Sequence, residues 1–205
     1  MWGFYSQAFQ DIFLNDSVHF CVLLLPAQFS EICTSAMETL QQHMKTISRI
    51  KALLKQVTDP EIPVLSIIDL GILRNIEIDE NDIIVTITPT YSGCPAMDVI
   101  SIQIKMTLAA NGYKNVIIKN ALSPAWTTDW ITASGKDKLK AYGIAPPNPT
   151  QQVCTLDTFQ EEETIQCPHC NSLNTRMISR FGSTPCKALY QCNDCKEPFD
   201  YFKCH

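Results

Sequence analysis

The chain has 205 residues, 45% hydrophobic and 18% charged, enough for one ordinary domain and a small satellite, and too few for a large multidomain enzyme. Its formal charge is -5, and over residues 1–36, 37–150, 151–165 and 166–205 the counts of Lys+Arg against Asp+Glu are 0 and 3, 11 and 11, 0 and 4, and 5 and 3, so no basic stripe marks nucleic acid as the main partner. Only seven glycines occur, and no glycine-rich dinucleotide loop, P-loop, nucleophile elbow or zincin motif is formed from them.

Residues 1–36 contain no Lys or Arg, show no periodicity and precede two possible start residues, Met37 and Met44. They read as an extension from a misassigned start, with a natural N-terminal arm as the alternative, and residues 1–43 are expected to lie outside the folded domain. A secretory signal needs a basic n-region, and the apolar run from Phe20 to Ala27 is too short to span a bilayer. The expected location is therefore the cytoplasm, without membrane attachment.

Met44, Ile47, Ile50, Leu53, Leu54 and Val57 follow the spacing of an amphipathic helix, and Lys45, Arg49, Lys51 and Lys55 take its wet face. Asp59-Pro60-Glu61-Ile62-Pro63 ends that helix in an acidic turn, because the residue before a proline is pushed out of helical geometry. Ile72–Ile78 and Asp82–Thr88 are β-branched runs separated by Asp79-Glu80-Asn81 and read as a hairpin. After Ser92-Gly93-Cys94-Pro95, the residues from Met97 to Leu108 predict a helix with Pro95 in its first position, Cys94 at its N-cap and Gly112 at its end. Lys114–Ala121 predicts a third strand, and Asp129–Tyr142 a weaker helix, interrupted by Gly135 but rich in lysine toward its C-terminus.

The fold class is thus α+β: an α-β-β-α-β-α domain over residues 44–145, a Pro-rich then acidic linker over 146–165, and a small unit over 166–205. That last unit carries Cys167-Pro168-His169-Cys170 and Cys192-Asn193-Asp194-Cys195, two knuckles separated by 21 residues. Two CxxC pairs at about this spacing close a tetrahedral zinc site. About forty residues bury too little apolar surface to fold unaided, so a structural Zn serves as the core. The strands of this ribbon are expected at Arg176–Arg180 and Ala188–Gln191. A thiol oxidoreductase using Cys167 and Cys170 remains an alternative, although no strand or apolar helix brackets Cys167 as a thioredoxin-like site requires. Cys186, Cys204 and His205 receive no role, and Cys21, Cys33 and Cys154 are not counted as ligands.

Cys94 stands apart because of its position. Gly93 frees the backbone before it, Pro95 starts a helix after it, and free amides with the helix dipole are expected to depress its thiol pKa. The plain alternative is a small buried hydrophobe, just as Asp59 and Glu61 also suit a solvated turn.

The runs DPEIPVLSIIDLGILRNIEI, TPTYSGCPAMDVI and APPNP resemble the SufT-like family of iron-sulfur assembly proteins. Joined to QCPHC, FGSTPCKALYQC and CNDC, they resemble the PaaD (PaaJ) family of phenylacetate catabolism over residues 44–205. The resemblance implies a non-catalytic accessory protein that matures the phenylacetyl-CoA epoxidase, with the iron-sulfur reductase component as its foremost partner. It further implies that Cys94, with Asp59 and Glu61, takes part in transient binding of iron or an iron-sulfur cluster, the remaining ligands coming from a homodimer partner or the client. A structural subunit of the epoxidase is the alternative.

Overall fold

A computed structural model describes residues 27–79, 82–91, 93–147 and 164–203 of the chain. The chain divides into two compact units, Met1–Thr46 and Ile47–His205. Within the first unit the described residues are helical, as the leading part of α1, Ala27–Leu54. This helix starts well before Met44, because the segment from Ala27 to His43 contains neither Gly nor Pro to stop it. Residues 27–43, expected to be an unordered extension, are therefore helical, whereas residues 1–26 lie outside the described part. No helix of the described residues is long and apolar enough to cross a membrane.

The second unit begins on the buried stripe of α1. Ile50, Leu54 and Val57 are buried, with Ile47 and Leu53 packed at the edge, as the helical spacing predicts. Met44 is 61% exposed and does not belong to the stripe. Past Leu54 the chain turns sharply. Asp59 Oδ1 accepts the amides of Glu61 (2.7 Å) and Ile62 (2.9 Å), and an isolated bridge joins Thr58 to Ser66. Asp69 holds the next turn: its Oδ2 accepts Ser66 N, Ser66 Oγ and, at 2.7 Å, Lys138 Nζ. Burial pushes the Asp69 carboxyl up, but Lys138 and Ser66 outweigh burial and leave it below the ordinary range.

A three-stranded sheet follows in the order β1-β2-β3. The strands β1 (Leu73–Asp79) and β2 (Asp82–Ile87) are antiparallel, and β3 (Val116–Asn120) runs parallel to β2. A parallel neighbour requires a crossover, which α2 (Ala96–Ala110) provides. It buries Met97, Ile100, Ile104 and Leu108 against the sheet and leaves Val99, Ile102 and Met106 exposed. The expected final helix is two pieces: a 3-10 turn, Thr128–Trp130, and α3, Ala133–Ala141, capped by the Thr132 side chain, which accepts Gly135 N at 3.0 Å. Gly135 is an interruption with a purpose, since a Cβ there would come within 2.9 Å of the Asp69 carbonyl.

The second sheet has the order β4-β7-β6-β5, with β4 Ile144–Ala145, β5 Thr175–Ser179, β6 Lys187–Cys192 and β7 Pro198–Phe202. Two features differ from the expected ribbon. It has a third strand of its own, β7, and it recruits β4, which precedes the linker and pairs in parallel with β7 through Ile144↔Asp200 and Ala145↔Tyr201. Phe202 and Cys186 lie in the same buried cluster as Ile50, Ile100 and Leu139. Trp126 meets Phe202 edge to face at 6.1 Å and donates Nε1–H to the Leu70 carbonyl at 2.8 Å. The ribbon is thus built onto the first domain.

Gly71 permits the tightest approach in the first domain. Its φ is +68°, and a Cβ would fall 2.5 Å from the Trp130 carbonyl oxygen and 2.6 Å from Trp130 Cβ. Backbone conformation and space both reject a side chain there, so Gly71→Ala is expected to destabilise the protein by about 2–4 kcal/mol, read as a lowered denaturation midpoint. An unchanged midpoint would contradict this packing.

Candidate metal centres

The first centre lies in the ribbon. Cys167, Cys170, Cys192 and Cys195 bring their four sulfurs within 4.8 Å of one another. The Cys167–Cys195 and Cys170–Cys192 sulfur separations are 3.8 and 3.5 Å. A tetrahedron with Zn–S bonds of about 2.3 Å has an edge of about 3.8 Å, so the cage fits zinc. Each knuckle repeats one local device: the residue after its second cysteine, Asn171 or Lys196, has a positive φ, 63° and 67°, which turns the chain back under the sulfurs. The amides of Ser172, Asp194, Cys195 and Glu197 point at sulfurs of this group; they leave the Cys192 thiol lowered to about 7, whereas burial and the neighbouring thiols outweigh them at Cys170, which is raised, and at Cys195, which is raised to about 12. Asp194 ties the knuckles together by accepting Ser172 Oγ at 2.5 Å and Asn174 Nδ2 at 2.9 Å. His169, though in a cysteine knuckle, lies over Gly143, where a Cβ would come within 3.2 Å of its ring. Its role is packing against the turn before β4.

The second centre lies where β2 gives way to α2. Cys94 is half-buried and packs beside the main core. Its amide donates to the Tyr91 carbonyl and its carbonyl accepts Met97 N, both at 3.3 Å. Ser92 lies outside the described residues. Pro95, rather than Cys94, occupies the N-cap of α2. The thiol also differs from expectation. Burial pushes its pKa up, the Glu61 and Asp59 charges push the same way, and the Ala96 amide and Tyr91 hydroxyl only partly oppose them. A helix terminus accounts for the Ala96 amide at this thiol but not for the burial or the two carboxylates.

Those carboxylates belong to the turn after α1. Asp59 is buried and spends one oxygen on the turn amides. Burial raises its pKa first of all, with Glu61 adding and the amides and Lys187 opposing. This fixes the turn that presents Glu61. Sequence reasoning left one participant out: Cys186, in the loop before β6, donates its thiol to Glu61 Oε2 at 3.2 Å and has Thr184 Oγ1 at 3.0 Å. Burial, reinforced by Glu61 and Asp59, pushes the Cys186 thiol up to about 12. Tyr91, also raised to about 12 by burial first, feels Cys94, Glu61 and Cys186 together. Glu61 is thus met directly by the Cys186 thiol, while Cys94 and Tyr91 feel its charge, although these residues come from both ends of the second unit. Cys204 and His205 lie outside the described residues.

Comparison with known proteins agrees with this division. Residues 47–116 match the family described as iron-sulfur cluster assembly protein, and residues 151–203 match the PaaD zinc beta ribbon domain. A protein of Escherichia coli K12 named as a putative subunit of 1,2-phenylacetyl-CoA epoxidase is 47% identical over 158 residues, covering 77% of this chain and 93% of its own length. An Fe-S protein maturation auxiliary factor of Porphyromonas gingivalis is 33% identical over 93 residues, 44% of this chain and 88% of its own. A crystal structure of a domain of unknown function, DUF59, from Bacillus anthracis is 25% identical with a TM-score of 0.46, covering 49% of this chain and 96% of that one. With a shared iron-sulfur assembly domain, a shared four-cysteine ribbon and near-complete coverage of the Escherichia coli protein, the chain belongs to the PaaD family.

Proposed function

We propose that this protein is a non-catalytic accessory factor that matures the phenylacetyl-CoA epoxidase by carrying iron or an iron-sulfur cluster to it, with the iron-sulfur reductase component as the foremost client. The observation that carries the proposal is the half-buried Cys94 thiol set beside two carboxylates, Glu61 and Asp59. A carrier needs few protein ligands, so that its cargo can leave, and a lone thiol on one turn with the carboxylates of another acting on it suits transfer better than storage. Asp59 acts as a positioning residue for Glu61. The ribbon zinc is structural, and the factor works in the cytoplasm.

The experiment compares cells with and without this gene. Epoxidase subunits are expected to accumulate in both, but without this protein the complex is inactive and its iron-sulfur content falls. The second reading, a structural subunit of the epoxidase, is favoured by the name of the Escherichia coli relative. Purified, fully metallated epoxidase separates the two: a continuing need for stoichiometric addition of this protein supports the subunit reading, and activity without it supports maturation.

A further inference from the structure

We infer that the outer face of α2 is a dimerisation seam whose occupant is α2 of a second copy of this chain, packed antiparallel. The inference is independent of the maturation reading above.

α2 is apolar on both sides, a pattern that ordinarily belongs to a helix buried all round. Met97, Ile100, Ile104 and Leu108 are buried against the sheet, yet Val99 is 43%, Ile102 58% and Met106 66% exposed. With exposed Pro95 just ahead of the helix and exposed Ala109 in its last turn, these residues follow one another at steps of four, three, four and three. That alternation is the a and d spacing of a coiled-coil seam, which keeps one narrow stripe turned toward a partner helix.

Charge placement selects the partner and its direction. Asp98 and Lys105 are both exposed and border the same side of the stripe, one heptad apart. Neither takes part in the ion pairs of the described residues, Lys138–Asp69 and Lys187–Asp200. In heptad terms both are g positions. Two parallel helices bring g against e, so that Asp98 would meet Gln103 and Lys105 would meet Ala110, with no contact between charges. Two antiparallel helices bring g against g, and Asp98 of each copy then meets Lys105 of the other, twice by symmetry. The register that aligns these charges also stacks Val99 on Ile102 and Pro95 on Met106 of the second copy. The helix is therefore complementary to itself in apolar pattern and in charge, as a two-fold interface requires.

The seam is short, well below the roughly 20–30 residues a side of a standard interface, so the dimer is reversible and forms as the concentration rises through about 10–500 μM. Each Cys94 lies one residue before Pro95, and the two Cys94 turns therefore fall toward opposite ends of the seam, about 20 Å apart along it at the rise of a helix. Such a dimer presents two separate turns and does not join the two thiols.

The test is sedimentation of the full chain with its ribbon zinc in place, across that concentration range and under reducing conditions, so that no disulfide contributes. The wild type is expected to pass from monomer to dimer. Ile102→Glu should weaken the dimer by more than about tenfold, with ribbon zinc content and denaturation midpoint unchanged as checks on folding. Should Ile102→Glu fail those checks, the charge variants at exposed positions carry the test. Lys105→Glu, which sets like charges opposite each other twice, should weaken the dimer by about fivefold or more, and adding Asp98→Lys should restore it to within about twofold. That rescue follows only from antiparallel pairing of this helix. A wild type that stays monomeric throughout would overturn the inference, as would a dimer indifferent to Ile102→Glu or a charge exchange that restores nothing.

Discussion

Cys94→Ala is expected to abolish epoxidase maturation, and with it growth on phenylacetate, while the fold and ribbon zinc remain intact. Truncating a half-buried thiol removes one heavy atom and costs about 1 kcal/mol, too little to unfold a domain whose main core contains Ile50, Val85, Ile100 and Leu108. If Cys94 were only packing, growth at matched soluble protein level would be normal, and that outcome would remove its role as a ligand. The pH dependence of the free thiol provides a second check. Burial and the neighbouring carboxylates raise its pKa, so Cys94 is a protonated thiol at neutral pH and becomes thiolate only as pH climbs past the range of an ordinary cysteine. Alkylation of Cys94 in the iron-free protein should therefore be slow at neutral pH and accelerate in alkali. Fast alkylation at neutral pH would restore the depressed thiol expected from a helix N-terminus.

The reason that expectation misled is local. A Gly-Cys-Pro turn before an apolar helix tells a reader where amides will be free, and the Ala96 amide does point at Cys94. It says nothing of what the opposite side of the thiol faces. Asp59 and Glu61 arrive from a turn over thirty residues upstream, and their effect on the thiol depends on tertiary placement. Cys186 illustrates the same limit more sharply. The ribbon cysteines were legible because their ligand spacing is written into the sequence, whereas Cys186 has no partner at a telling distance and meets Glu61 only after the ribbon folds back. The strands show the contrast again. Ile83 to Ile87 is β-branched and stands out, while Pro198–Phe202 opens on a proline and is only five residues long, and Ile144–Ala145 is a strand of two residues that exists because β7 lies alongside it. Gly135 weakened the α3 pattern for a reason that only the Asp69 carbonyl, 2.9 Å from its would-be Cβ, makes visible.

Removing the ribbon metal, by chelation or by Cys167→Ser, should have the largest effect on stability. A closed four-thiolate zinc site supplies on the order of 10 kcal/mol or more of folding free energy, and the ribbon's own cluster of Ala188, Tyr190, Phe199 and Tyr201 is too small to replace it. From spacing alone, loss of the metal would collapse the ribbon and nothing else. The fold predicts a wider effect. Phe202 and Cys186 would leave the main core, exposing Trp126, and β4 would lose β7, its sheet partner among the described residues. Amide hydrogen exchange should accordingly quicken in residues 187–202, at Ile144–Ala145 and around Trp126, while β1, β2 and α2 keep most of their protection. Metal content should fall from about one zinc per chain to none in the same sample. Quickened exchange confined to residues 164–203 would mean that the ribbon is an independent appendage, and the first domain could then hold its Cys94 turn without it. Quickened exchange on both sides of the linker would mean that zinc in the ribbon decides whether Cys186 reaches Glu61, and with it whether the turn that presents Glu61 keeps its packing.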